Sequence, residues 1–192
     1  MSNVEPDLMI TPAQGKVFVP EGEVYDWIYD QPSVKNMCTV LQEQVFVNYD
    51  GQQGIALAKG VDWIYEDESP IRDYVLNGDF TLHKGDIPMA AVGAGLAYSM
   101  NINPRFISPI ELFYPNRKDK ISMSNPLASV EIVHLWPSCT FSINTDVDKE
   151  LMIVPIKTMR ELLEYDQEVS AVEIRVVEGT DSKEIKRLQN EI

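Results

Sequence analysis

The side chains best suited to metal binding or nucleophilic catalysis are two histidines and two cysteines: His83, His134, Cys38 and Cys139. A zinc tetrad draws on ligands paired at short spacing, and no two of these four lie close in sequence. A Cys–His hydrolase sets one thiol beside one imidazole, and no motif around Cys38 or Cys139 does so. The two thiols can form one disulfide in an oxidising compartment, or stay apart as buried thiols; a single pair without a spacing motif favours the second. His134 lies in an apolar strand, where a hydrogen-bonded core or surface imidazole is the default.

Two further patterns imitate known sites. Gly93-Ala-Gly95 resembles a dinucleotide-binding turn, but the third glycine of that fingerprint falls on Tyr98 and no clean strand precedes it. Close helix packing accounts better for these small residues. Asn144, Asp146, Asp148 and Glu150 alternate like a calcium loop, yet the sixth position is Lys149 where glycine is needed, and the twelfth is Pro155 where glutamate is needed. A solvated acidic turn is the expectation. Glu66-Asp67-Glu68 offers carboxylates for acid–base work, but a run of acids in a loop is ordinarily hydrated. No catalytic residue, cofactor or metal ligand is assigned, and the chain is not expected to be an enzyme.

The elements that would position any site come from the hydrophobic pattern. At 192 residues, with 44% apolar and 24% charged side chains, the chain can bury a real core as one domain or two small lobes. Leu8 to Phe18 reads as extended, Glu21 to Tyr29 as a short helix, and Val34 to Asn48 as a long strand. Asp50-Gly51 between β-rich runs is a hairpin signal, with Gly54 to Gly60 as the returning strand. Asp62 to Pro70 reads as an acidic loop, Ile71 to Leu76 as a helical turn and Met89 to Met100 as a short helix. Ile110–Tyr114 and Ser129–Leu135 flank a polar loop from Pro115 to Pro126, a long hairpin whose tip of about a dozen residues is of the length that often carries function. Leu151–Pro155 is a strand. Thr158 and Glu161 form a capping box for the next helix, and Ala171–Val177 alternates as a strand. Strand, helix, strand, helix at this spacing suits helices layered on a sheet.

Charge and ends narrow the classes. Acids outnumber bases 30 to 16, a net charge of −14, and no basic stripe is present for nucleic acid. No apolar run approaches the ~18 residues of a membrane span, and the longest, Ile87 to Ala97, is broken by Pro88 and two glycines. Met1 to Asp7 has no basic residue and no apolar core, unlike a signal peptide. Ser182 to Ile192 opens an amphipathic helix, capped by Asp181 or Ser182, that lacks a Gly or Pro stop. The expectation is a soluble excerpt of a larger membrane protein.

A succession of short segments carries a family resemblance. They are Pro12-Ala-Gln-Gly-Lys16, Gln53-Gly-Ile-Ala-Leu-Ala-Lys-Gly-Val-Asp62, Tyr74-Val-Leu-Asn-Gly-Asp-Phe80, and Ala91-Val-Gly-Ala-Gly-Leu-Ala97 followed by Met100-Asn-Ile. Phe141-Ser-Ile, Met152-Ile-Val-Pro-Ile156 and Val169-Ser-Ala-Val-Glu-Ile174 complete the series. In this order the chain, from about Leu8 to Ile192, resembles the extracytoplasmic (MacB-like periplasmic core) domain of FtsX-like ABC transporter permeases, the LolC/LolE and MacB group.

The resemblance implies an α+β, two-lobed fold. A Porter-like α/β lobe would comprise residues 1–61 with 151–192, and a Sabre-like lobe residues 62–150. It implies a domain between the first two transmembrane helices of a bacterial inner-membrane permease, on the periplasmic side. The implied role is mechanical transmission: a cytoplasmic ABC ATPase and a second permease subunit would drive release or movement of a lipoprotein, peptide or drug. It further implies that the Pro115–Pro126 loop, with Arg117, Lys118, Lys120, Met123 and Asn125, binds a periplasmic carrier or outer-membrane partner, although its sequence differs from the LolC hook. The alternatives are a free-standing extracellular ligand-binding module and a hydrolase whose carboxylates converge from distant segments.

Overall fold

The computed structural model describes residues 4–105, 107–117 and 129–192. In chain order the elements are β1 (Leu8–Ile10), α1 (Glu23–Tyr29), β2 (Val34–Tyr49), β3 (Gln52–Val61), α2 (Trp63–Glu68), a 3-10 turn (Pro70–Tyr74), β4 (Val75–Gly78), β5 (His83–Lys84) and β6 (Ile87–Gly93). They continue with α3 (Ala94–Met100), β7 (Ile110–Pro115), β8 (Val130–Phe141), α4 (Thr145–Asp148), β9 (Leu151–Pro155), α5 (Ile156–Leu163), β10 (Ala171–Val176) and α6 (Ser182–Glu191). The protein is mixed α/β, as its sequence pattern predicts.

β2 organises the sheet. Asp50 and Gly51 both take positive φ, 49° and 81°, the two-residue turn whose twist suits a hairpin. This turn registers β2 on β3 from Val40↔Val61 to Tyr49↔Gln52. The other edge of β2 changes partner along its length: Val34 to Val40 face β10, and Phe46 to Asn48 face β7. β3 then pairs with β9, β9 with β6, β6 with β8, and β8 with β7, so the pairings β2–β3–β9–β6–β8–β7–β2 return on themselves. All six strands send side chains into one core, among them Val45, Val47, Ala56, Ala90, Leu112, Leu135 and Met152. α3 and α5 complete it with Leu96, Met100, Met159 and Leu162.

The opposite faces of the same strands build a second core. Met152 and Val154 of β9 point into the first and Ile153 into the second; Ala90 and Val92 of β6 do likewise with Ala91. Tyr65 of α2, Ile71 of the 3-10 turn, Phe80 and Leu82 cover Val40, Val61, Phe141 and both cysteines. Cys38 and Cys139 are free, buried thiols, and burial pushes them up to about 12 and about 11. Beside this core, Lys59 and Glu173 form a largely buried ion pair at 2.6 Å, with Lys59 Nζ 4.9 Å from the Tyr65 ring centre. The 1–61 and 151–192 segments meet the 62–150 segment through the β9–β6 and β2–β7 pairings.

Three expectations are corrected. Asp62–Pro70 is not a loop: Asp62 accepts a hydrogen bond from the Tyr65 backbone amide at 3.1 Å and caps α2. Met89–Met100 is not one helix, because β6 occupies its first half. Ala90, Ala91 and Val92 are fully buried on both faces, which leaves an unbroken apolar run in place of a strand's alternation. A strand therefore does precede Gly93, but a Cβ on Gly93 would lie 2.6 Å from the Asp148 carbonyl oxygen, so the glycine permits close backbone packing. Nor does Thr158 cap α5: the helix begins two residues earlier, at Ile156, and Thr158 is buried.

Gly93→Ala forces the α4 backbone to move and should cost about 1–3 kcal/mol in urea unfolding, as overpacking does. Gly54→Ala meets only the flexible Met100 sulfur, at 3.2 Å, and should cost measurably less.

Candidate partner-binding site

The long hairpin β7–β8 closes on itself at its base. The Asn116 amide donates to the Ser129 carbonyl at 2.8 Å, and the Asn116 side chain donates to Glu131 at 3.0 Å. Arg117 then folds onto the end of α5. Its backbone amide donates to Glu164 Oε2 at 2.6 Å, its guanidinium to the Leu163 carbonyl at 3.3 Å, and it stacks 3.9 Å from the Tyr165 ring centre. A cation there meets the unsatisfied carbonyls of the helix C-terminus, and Glu164 ends the helix in a left-handed turn at φ 55°. Of the predicted loop residues, Arg117 is thus an anchor at the root. Lys118, Lys120, Met123 and Asn125 lie outside the described residues.

A polar knot sits where the edge of β2 passes from β10 to β7. Glu43 receives Lys16 at 2.7 Å and the Tyr114 hydroxyl at 3.5 Å, and these groups adjoin Tyr165 on the first core. The unpaired stretch of β2 is capped by Ser170, whose hydroxyl accepts from the Gln42 amide at 2.9 Å and donates to the Val40 carbonyl at 3.0 Å.

The N-terminal segment converges on the end of β10. Arg175 donates to the carbonyls of Val4 at 2.6 Å and Glu5 at 3.2 Å, and Asp7 accepts from the Val176 amide at 2.9 Å. α6 packs its buried Leu188 against the body. Asp181 caps it by accepting from the Glu184 amide at 2.8 Å. Glu184 accepts from Ser33 at 2.9 Å and from two nitrogens of Arg187, while Arg187 also reaches Gln31 at 2.8 Å. The hydrogen bonds from Arg187 and then Ser33 hold the Glu184 carboxyl down at about 2.

A wide polar cleft of about 730 Å³ lies between the chain-end segments and the 3-10 turn, lined by Glu5, Asp7, Glu68, Asp73 and Glu178 with Lys35 and Arg175. Carboxylates from distant segments line this cleft. Asp7 is committed to the Val176 amide, and Glu68 to Asn36 at 2.8 Å and Lys35 at 3.4 Å. Cys38 and Cys139 are buried in the second core and are absent from the cleft lining, which leaves it without a thiol nucleophile.

The other motif residues are structural. Asn144 caps α4, and Asp148, expected in a solvated turn, is buried and accepts from Ser142 at 2.7 Å and the Ile143 amide at 2.8 Å. His83 is 2.8 Å from Glu66 and His134 3.3 Å from Glu111, both half-exposed. Among the described residues no group of three or more His, Cys, Asp or Glu side chains is arranged to hold a metal ion, and no helix is long and apolar enough to cross a membrane.

No family model and no curated protein matches the sequence. Solved structures match the fold. The extracellular domain of the ABC-type transporter YknZ from Gram-positive bacteria superposes at TM-score 0.60 and 11% identity, over 94% of this chain and 86% of that one. The periplasmic region of MacB from Actinobacillus actinomycetemcomitans does so at TM-score 0.56 and 10% identity, over 91% and 79%. The chain has the fold of the extracytoplasmic domains of ABC-type transporter permeases.

Glu184 supplies a pH test of the α6 contact. Its folded value is lowered from 4.5 to about 2, so its stabilising effect is present above 4.5 and is lost as pH falls toward 2. Protection factors of the α6 amides, taken relative to intrinsic exchange at each pH, should therefore fall across that window while those of β9 hold, and Arg187→Gln should remove most of the acid-dependent change.

Proposed function

We propose that this chain is the extracytoplasmic domain of an ABC transporter permease, and that it passes motion generated by a cytoplasmic ATPase to an envelope substrate such as a lipoprotein, peptide or drug. The likeness of fold over nearly the whole chain is the observation that carries the reading. The attachment of both chain-end segments near the start of β2 supports the mechanical part: β1 pairs with β10, which pairs with β2, and α6 is tied through Glu184 and Arg187 to Ser33 and Gln31 just before β2. In this reading the domain stands on the outer side of the inner membrane and does no chemistry itself. It works with a second permease subunit, and its two parts, 1–61 with 151–192 and 62–150, correspond to Porter-like and Sabre-like lobes.

The β7–β8 loop is the proposed contact for a carrier or outer-membrane protein. Lys118 and Lys120 would offer cations, Met123 an adaptable apolar contact and Asn125 a hydrogen-bonding amide, while Arg117 fixes the root. A state-dependent partner must bind two domain positions with different affinity, because equal affinity shifts nothing.

Spin labels at the exposed Lys186 and Tyr98 in the membrane-embedded full-length protein with its ATPase should report a distance that changes on nucleotide binding. An unchanged distance with active hydrolysis counts against transmission. In the same system, Lys118→Ala/Lys120→Ala/Met123→Ala should lower transport several-fold without altering the melting temperature of this chain, and unimpaired transport would remove the loop from the mechanism.

A further inference from the structure

A second, smaller pocket of about 300 Å³ lies where the C-terminal end of α3 meets β4 and β8. Ala94, Ala97, Tyr98 and Asn101 fall at i, i+3, i+4 and i+7 along α3 and its cap, so they share one helix face. Asn103 and Pro104 follow just beyond that cap. Asn77 of β4 stands opposite Thr140 of β8, and a shift in the ladder puts it there. Val75 pairs with Phe141, so an unbroken ladder would set Leu76 against Thr140. The register slips by one residue instead, and Asn77 takes that position. Irregularities of this kind re-aim a side chain, and here they exchange an apolar group for an amide.

The chemistry of the lining selects the ligand. The cleft at the chain ends is lined by acids and bases, whereas none of the described residues lining this pocket is charged. A cation meets no carboxylate here. An anion meets no base, on a molecule whose net charge of −14 repels it. What the lining offers is unused hydrogen bonding. The side chains of Asn77, Tyr98, Asn101 and Thr140 make no hydrogen bond to any described residue. Asn103 makes one, its Oδ1 accepting from the Arg105 amide at 3.0 Å. Carboxamides and hydroxyls each donate and accept, and so do the hydroxyls of a sugar. Tyr98 is 91% exposed and adds an aromatic face. The weakly positive C–H bonds on one side of a sugar ring fit the negative face of an aromatic ring.

We infer that this pocket binds a neutral pyranose saccharide. A peptide is held by a strand edge or by apolar side-chain pockets. The apolar surface here is small, chiefly Ala94, Ala97 and Pro104. The site holds the sugar and does not cleave it, because no carboxylate lines it for acid–base work. The volume lies at the lower end of ligand sites, so binding of a free sugar is weak. The inference stands on this pocket alone, and its failure leaves the transport reading untouched.

Amide chemical shifts of the isotope-labelled chain, titrated with maltotriose and with chitotriose from about 0.1 to 20 mM, test it in the range where so open a site fills. Expected are saturable shifts at Asn77, Tyr98, Asn101, Asn103 and Thr140 with at least one of the two sugars. Tyr98→Ala removes the exposed ring. Asn101→Gly removes an amide at a left-handed position, φ 56°, that glycine adopts freely. Both changes are at exposed positions, so the melting temperature should hold. Each should weaken binding about fivefold or more, and the two together should abolish it over this range. Absence of saturable shifts with both sugars overturns the inference, as do shifts that the double variant leaves unchanged. A response of the same amides to capped, uncharged trialanine as strong as that to the sugars would assign the pocket to peptide and likewise overturn it.

Discussion

The length of β2 is the constraint on which the rest of the molecule depends. A strand of 16 residues is about three times the usual length, and no single partner covers it. β3 takes one edge; β10 and then β7 take the other. Because β7 also pairs with β8, which joins β6, which joins β9, which joins β3, the hand-over on β2 is what lets the pairings close. Closure leaves few free edges and forces ten successive pairs, Val40↔Val61 to Tyr49↔Gln52, into one register with the buried side. A one-residue slip would turn Val45 and Val47 to solvent and Phe46 into the core.

The cost of the hand-over is local. Where β10 has left and β7 has not arrived, one edge of β2 lacks a strand partner, and the chain supplies hydrogen bonds individually. Ser170 serves Gln42 and Val40, and the Glu43 carboxylate accepts from the Gln44 amide at 3.1 Å. Glu43 points to the same side as Leu41 and Val45, so Lys16 and Tyr114 are needed to keep a carboxylate there. This explains why a polar knot lies against the first core, and why the root of the β7–β8 loop is built beside it through Tyr114, Tyr165 and Arg117.

Local signals in the sequence were legible wherever two neighbouring residues decide the outcome. Asp50-Gly51 specified its hairpin, Asp181 and Ser182 the start of the last helix, where Asp181 proves to be the cap, and Leu151–Pro155 its strand. What was hidden depends on partners distant in sequence. β6 is apolar on both faces because it lies between two cores, and without knowledge of the second core its run of Ala and Gly reads as a helix. Asp62–Pro70 reads as a hydrated loop because its acids dominate. Asp62 in fact caps α2 and also accepts from Thr39 at 2.6 Å, while Glu66 accepts from the Leu82 amide at 2.6 Å. These two half-buried acids fasten segments together, while Asp67 and Glu68 are exposed. The apolar row of Phe46, Ile55 and Ile132 with the half-buried Phe113 was half visible: Phe46 shares the phase of Gln42, Gln44 and Asn48 in the alternation of β2, an apolar residue on the polar side. Its companions Ile55, Phe113 and Ile132 could be aligned with it only through the registers.

The same architecture determines what kind of motion the domain can carry. A closed set of pairings around a shared core resists bending, since distortion of one strand breaks contacts with all the others. β1, β10 and α6 lie outside that circuit. They are fastened to it by the β10–β2 ladder and by side-chain contacts from α6 to Ser33 and Gln31, which are fewer and closer to solvent. Movement of the chain-end segments relative to the body is therefore the cheaper deformation, and rotation of the body as a unit follows once those fastenings hold. The root of the β7–β8 loop at Arg117 lies beside the hand-over of β2, near Glu43, while the chain-end segments attach further along the strand, where Val176 of β10 faces Val34. Rigidity in the circuit and compliance at its attachments are together what a lever needs, and both arise from one strand being too long for any single neighbour.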